Sequence, residues 1–181
     1  MSQELLVRFF DNQDLPEGRM STYARINEEL DTLKEAGLEK TVSYCTTLWS
    51  SIDLMARFYS GQLVNRNSTG RISRYLRGPM SRNGKNSEIL LLFRHACTHG
   101  LGMYAFDATR KTEVRFSLST QSPDLITKIG SSHFRINPHL LRNLFQKSVE
   151  NYRGQLEQDE ELLKKFAKVY RKLGYAIIYQ E

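Results

Sequence analysis

The chain has little of what holds small or exported proteins together. Of its 181 residues only two are cysteine, Cys45 and Cys97, and only four are proline. Both cysteines stand among apolar residues at helical spacing, so no disulfide framework is implied and two reduced, buried thiols are expected. No window approaches the roughly 18 consecutive apolar residues that read as a membrane-spanning helix. The first residues, MSQELLVRFF, also lack a basic stretch followed by a long apolar one. The expectation is a cytoplasmic protein with no membrane partner.

Metal-ligand spacing is missing too. The HExxH pattern needs Glu after its first His, whereas Ala96 follows His95, and Cys97, His133 and His139 stand at no paired spacing. No metal and no other cofactor is expected. A Gly-rich phosphate loop between strand and helix is absent, because Gly100 and Gly102 follow a helical run rather than a strand.

One local absence has more to say. Between Asp53 and Glu88 there is no acidic residue, while Arg57, Arg66, Arg71, Arg74, Arg77, Arg82 and Lys85 supply positive charge. With a formal net charge of +6 and an isoelectric point near 9.4, an anionic partner is favoured, although a solvated loop is the plainer reading of any charge run. A polyanion on these side chains would be held through its phosphates, with marked salt dependence and little sequence selectivity. Tyr59 and Tyr75 are candidates to stack on unpaired bases, though helical spacing draws Tyr59 toward the core.

What is present suits one domain over residues 1–181 with a core of its own: 40% of the chain is hydrophobic and 25% charged. Residues 21–40 place Tyr23, Ile26, Leu30 and Leu33 at helical spacing before Gly37. Residues 41–60 do the same over five turns before Gly61. A short helix is expected over 71–77, and a further one from Ser87, as N-cap, to about residue 101. Strand-like alternation follows at 103–107, 113–118 and 133–136. A helix then opens at Asn137-Pro138 and ends or bends at Gly154, and a last one runs from acidic residues 157–161 to basic residues 164–172. Residues 175–179 read as a final strand. The fold expected is mainly α, with a helical core over about 21–101 and 138–173 and a small antiparallel β insertion over about 103–136.

Within the helix from Ser87, residues 89–93 are apolar on every side, which makes it central to the fold. The run Arg94-His95-Ala96-Cys97-Thr98-His99 comes directly after. It sets a permanent guanidinium and two imidazoles at the edge of a core, where polar groups need partners or a task. RNA cleavage by its own 2′-hydroxyl asks for little else. One group takes the hydroxyl proton, another protonates the leaving 5′-oxygen, and a cation steadies the charge on phosphorus. Histidine titrates in the right range, and arginine offers a planar fork to phosphate oxygens.

An Arg, then a polar residue, then a His five positions after the Arg, near the end of a core helix, resembles the signature of the HEPN superfamily (higher eukaryotes and prokaryotes nucleotide-binding). The resemblance implies a dimerising helical bundle and a metal-independent endoribonuclease of toxin, antiphage or RNA-processing systems. Its substrate would be RNA, its partners a second copy and an antitoxin or regulatory protein. Arg94 and His99 would be the defining pair, His95 the polar residue after the Arg, and the motifs of two subunits would meet at one cleft.

Helical geometry qualifies this picture. Five residues turn an ideal helix by about 140° and raise it by about 7.5 Å, so Arg94 and His99 do not share a face. They converge only if the helix unwinds near Gly100 or a second subunit completes the site. Structural roles stand beside the catalytic ones. Arg94 is a candidate to pair with Asp53, a pair that would equally orient a catalytic Arg, and His99 is placed to meet free carbonyls at a helix end. The competing function is a helical module that binds nucleic acid or protein without cleaving.

Overall fold

The computed structural model describes residues 2–64, 67–100 and 103–177; for Ser2, His99 and Gly100 it describes the backbone alone. The chain is mainly α-helical, with seven α-helices among the described residues and two small sheets.

Helix α1 (Ser2–Phe10) and strand β1 (Arg19–Ser21) precede everything the sequence pattern predicts. A nine-residue helix is marginal by itself, so packing holds it. Leu6 and Phe9 are buried, and the Phe9 ring lies 4.5 Å from that of Phe58 and 5.3 Å from that of Phe166. Helix α2 (Thr22–Glu35) starts at Ser21, whose Oγ accepts from the Tyr23 and Ala24 backbone N–H groups. Helix α3 (Val42–Ser60) is capped by Thr41 and closed by Gly61 in the left-handed conformation, φ 69°, which glycine adopts without strain. Its buried residues, from Tyr44 to Phe58, run through the centre of the core.

Helix α4 (Ser68–Arg77) begins before the predicted 71–77, because Asn67 accepts from the Gly70 N–H and caps it earlier. Helix α5 (Gly84–His95) likewise starts at Asn83 and not at Ser87. Asn83 Oδ1 accepts from the Asn86 N–H at 3.0 Å, while Ser87 is buried and donates its hydroxyl to the Gly84 carbonyl at 2.8 Å. Ile89, Leu90 and Phe93 of α5 are buried, and the Phe93 ring sits 6.2 Å from Trp49 and 5.3 Å from Phe116. The end of α5 is thereby held between α3 and the larger sheet.

That sheet comprises β2 (Tyr104–Asp107), β3 (Thr112–Leu118), β4 (Ile126–Lys128) and β5 (His133–Ile136) in the order β2-β3-β5-β4. The antiparallel insertion expected from the sequence is corrected here: β3 and β5 run parallel, so the sheet is mixed. The three-residue β4, too short to show alternation, pairs antiparallel with β5 and reverses the chain before β5 joins β3. Asn137 then ties the sheet to helix α6 (Pro138–Leu156). Its side-chain amide donates to the Thr120 and Ser122 carbonyls, and its Oδ1 accepts from the Leu140 N–H. α6 passes through Gly154, so the predicted end or bend there is corrected; the helix runs two residues further.

Helix α7 (Glu160–Leu173) is capped by Asp159, with Glu160 and Glu161 in its first turn and Arg171 and Lys172 in its last, as the helix dipole favours. Strand β6 (Tyr175–Ile177) pairs antiparallel with β1; positions 178 and 179 of the expected strand lie outside the described residues. No helix among the described residues is long and apolar enough to cross a membrane.

Candidate functional site

Directly after His95 the backbone widens into a single π-helical turn, Ala96–Gly100. Side chains bond one carbonyl just before the turn and one within it. The Thr98 hydroxyl donates back to the Arg94 carbonyl at 2.9 Å, and the Thr46 hydroxyl on α3 donates to the Cys97 carbonyl at 3.3 Å. Back-bonding of the first kind bends and loosens a helix, and the second supplies from α3 a partner for a carbonyl near the helix end. Ala96 and Cys97 are buried, so the widened turn is seated in the core.

A turn closed by i→i+5 bonds holds one residue more than an α-turn. Positions five apart therefore come nearer to one face, where α geometry would set them about 140° apart. The π-turn lies between position 94, in the last turn of α5, and position 100. The His99 side chain itself lies outside the described residues.

Arg94 opens on a cleft of about 290 Å³ between α3 and α5, lined also by Trp49, Ser50, Asp53, Leu54, Arg57 and Thr98. The pairing of Arg94 with Asp53 is corrected. Asp53 Oδ1 accepts from Arg71 Nη2 at 2.7 Å, and its Oδ2 accepts from the Arg57 guanidinium at 3.4 Å. The Arg71 side chain is fully buried and that of Asp53 is 17% exposed. Among the described residues no carboxylate lies within ion-pair distance of Arg94. Partial burial pulls Arg94 below the usual arginine range; the Asp53 charge opposes this and the Arg71 charge adds to it. The cleft lining thus carries two guanidinium groups, of Arg57 and Arg94, and one carboxylate, of Asp53.

The Trp49 indole is buried, and its N–H has no acceptor among the described residues. Ser50 and Thr98 add hydroxyls to the lining. A cleft lined by Arg94, Arg57 and two hydroxyls suits an anion with several acceptor oxygens, such as a phosphodiester.

The other predicted residues divide. His95 does not line the Arg94 cleft; one residue further round the helix, it lines a separate groove between α5 and β2 with Leu91, Leu92, Phe106 and Thr109. Of the basic stretch, Arg57 and Arg71 reach Asp53, whereas Arg74 lines a different cleft with Lys165 and Asp159. Arg77 and Lys85 are exposed, Arg82 donates to the Met80 carbonyl at 3.0 Å, and Arg66 lies outside the described residues. The run is not a single surface, because α4 turns its arginines in several directions. Tyr75 is corrected as a base-stacking candidate: it is fully buried and its hydroxyl bonds that of Ser148 at 3.0 Å.

Sequence reading placed Trp49 in the core but did not assign it, Ser50 or Thr98 to the site. A signal was present: Trp49, Asp53 and Arg57 fall at i, i+4 and i+8, one stripe of α3. Cys45 on α3 and Cys97 within the π-turn are free buried thiols. Among the described residues no group of three or more His, Cys, Asp or Glu is arranged to hold a metal ion. No family model, no curated protein and no solved structure matches this chain.

Proposed function

We propose that the chain is a HEPN-like endoribonuclease that cleaves RNA through its own 2′-hydroxyl. The observation that carries this reading is the π-helical turn Ala96–Gly100, which begins two residues after Arg94 and widens the helix between positions 94 and 99. The Arg94 guanidinium, with no carboxylate at ion-pair distance among the described residues and open to the cleft, supports it.

In this reading Arg94 binds the non-bridging oxygens of the scissile phosphate and offsets the charge of the five-coordinate transition state. The 2′-oxygen attacks phosphorus as its proton passes to a base, and the P–O5′ bond breaks as the 5′-oxygen takes up a proton. His99 is assigned proton transfer and His95, from the adjoining groove, a positioning role. The nucleophile belongs to the substrate, so the chemistry needs no metal-bound water. A second copy of the chain completes the site with its own helix end, and an antitoxin or regulatory protein restrains it, as the resemblance implies.

A non-cleaving module that binds nucleic acid or protein is the competing reading, favoured by the separation of Arg94 and His95 onto different clefts. Incubation with unstructured RNA in EDTA separates the two. Cleavage by the parent chain that is lost in both Arg94→Ala and His99→Ala supports the nuclease; binding without cleavage selects the module.

A further inference from the structure

The larger sheet packs one face on the core and leaves the other open. Ala105, Val114, Phe116 and Ile136 point inward and are buried. Pleating turns their neighbours outward. Tyr104, Arg115 and His133 form one cross-strand row on the open face, Phe106 and Glu113 a second, and Ser117, Arg135 and Thr127 a third, of which Arg135 is exposed while Thr127 bonds Ser122 and the Ser117 hydroxyl is buried. Tyr104 is 50% exposed and Phe106 65%, the latter the most exposed large hydrophobic side chain among the described residues. Two bare aromatic rings on an edge strand are a liability unless something covers them.

The chemistry of the face indicates what covers it. Protein interfaces deplete charge at their centre, whereas here Arg115 sits directly across from Tyr104, and Arg135 follows one row on. The one carboxylate of these rows, Glu113, is occupied by Arg115 at 2.9 Å. Lys111 adds a positive charge at the hairpin between β2 and β3, where Arg110 is ion-paired to Asp107 at 2.7 Å. Aromatic faces beside guanidinium groups take bases and phosphates of an unpaired strand.

Spacing agrees. Tyr104 and Phe106 are two residues apart on one strand, about 6.8 Å, roughly twice the rise per nucleotide of a stacked strand, about 3.4 Å. Bases seated on the two rings are therefore separated from each other, which selects single strands over duplex. Phe106 also lines the groove that holds His95, so the face leads to the end of α5.

We propose that the open face of β2-β3-β5-β4 is a docking surface for single-stranded RNA, with successive bases stacked on Tyr104 and Phe106 and their phosphates on Arg115 and Arg135. The choice of RNA over DNA rests on the nuclease reading; the preference for an unpaired strand rests on the sheet alone.

The test uses the full chain and a fluorescent 12-nucleotide 2′-O-methyl RNA without secondary structure, which lacks the nucleophile and cannot be cleaved through it. Binding is read by anisotropy across a salt series. Tyr104→Ala/Phe106→Ala, checked for folding by circular dichroism, is expected to bind roughly tenfold or more weakly, and Tyr104→Phe to bind as the parent does. Arg115→Ala and Arg135→Ala should each reduce the slope of log affinity against log salt by up to about one. Parent-level binding by the double variant overturns the proposal, as does a parent chain that ignores the probe. A parent dimer that the double variant breaks into monomers also overturns it, because the face then holds a second copy. A parent that docks the probe here yet cleaves no RNA overturns the nuclease reading and supports this surface.

Discussion

Asp53 Oδ1 receives Arg71 Nη2 at 2.7 Å, while Arg94 lines the same cleft with no carboxylate at ion-pair distance among the described residues. Asp53, the acidic group of the cleft lining, is already engaged by Arg71 and Arg57. A half-buried carboxylate thus ties two arginines to the scaffold beside a third that lines the cleft. Three expectations follow from this division and from the packing around the π-turn.

Neutralising Asp53 takes the carboxylate 2.7 Å away from a fully buried guanidinium. Asp53→Asn should cost about 3 kcal/mol of stability by urea unfolding. The double variant Asp53→Asn/Arg71→Met should recover a large part of that loss, since the buried charge is removed with its ion-pair partner. Losses that simply add would show that the pair is not an energetic unit.

Arg94 should behave in the opposite way. Having no ion-pair partner among the described residues and a like charge nearby, it contributes little to folding, so Arg94→Ala should shift unfolding by less than about 1 kcal/mol. Its effect belongs on nucleic acid: Arg94→Lys keeps the charge but loses the planar fork and should not restore cleavage. A strongly destabilised Arg94→Ala would assign this residue to the scaffold.

The thiols at the turn give a pH signature. Contact with Cys45, and then burial, push the Cys97 thiol well above the ordinary range, and burial raises Tyr75 and Tyr152 likewise. The native state therefore keeps protons that the unfolded chain releases from about pH 8.5 for a thiol and about pH 10 for a phenol. This contribution is complete below those values and is lost as pH rises through them. Urea midpoints should hold from pH 7 to 8 and decline above about pH 9, and iodoacetamide should label both cysteines only after unfolding. Rapid labelling of the native protein would contradict the packing described here.

The helices were legible where a single periodicity governed them. α3 was readable end to end because Thr41, its apolar stripe and Gly61 all agree. Starts were harder where two cap residues compete, as Asn83 and Ser87 do before α5: propensity ranks them nearly alike, and packing placed Ser87 inside. The β3–β5 pairing is parallel because of β4, a three-residue strand without a pattern to read.

At the site, the sequence pointed to Arg94 and to the geometric need for an unwound turn. It could not show that Thr98 and Thr46 would satisfy carbonyls there, since that depends on how α3 crosses α5. Charge counting likewise treated Arg57 to Lys85 as one surface, although α4 points Arg71 into the core and Arg74 toward α7. The exposed Tyr104 and Phe106 follow from β2 being a sheet edge, a property of topology and not of composition.

The central claim is that the helix end at Arg94 cleaves RNA through the 2′-oxygen. The most direct measurement uses a DNA oligonucleotide carrying one ribonucleotide, incubated in EDTA with the parent chain and with Arg94→Ala, and the product ends read by mass spectrometry. The account predicts a single cut after the ribose, leaving a 2′,3′-cyclic phosphate and a 5′-hydroxyl, with no cut by Arg94→Ala. A 5′-phosphate product, cleavage away from the ribose, or equal cleavage by Arg94→Ala would contradict it.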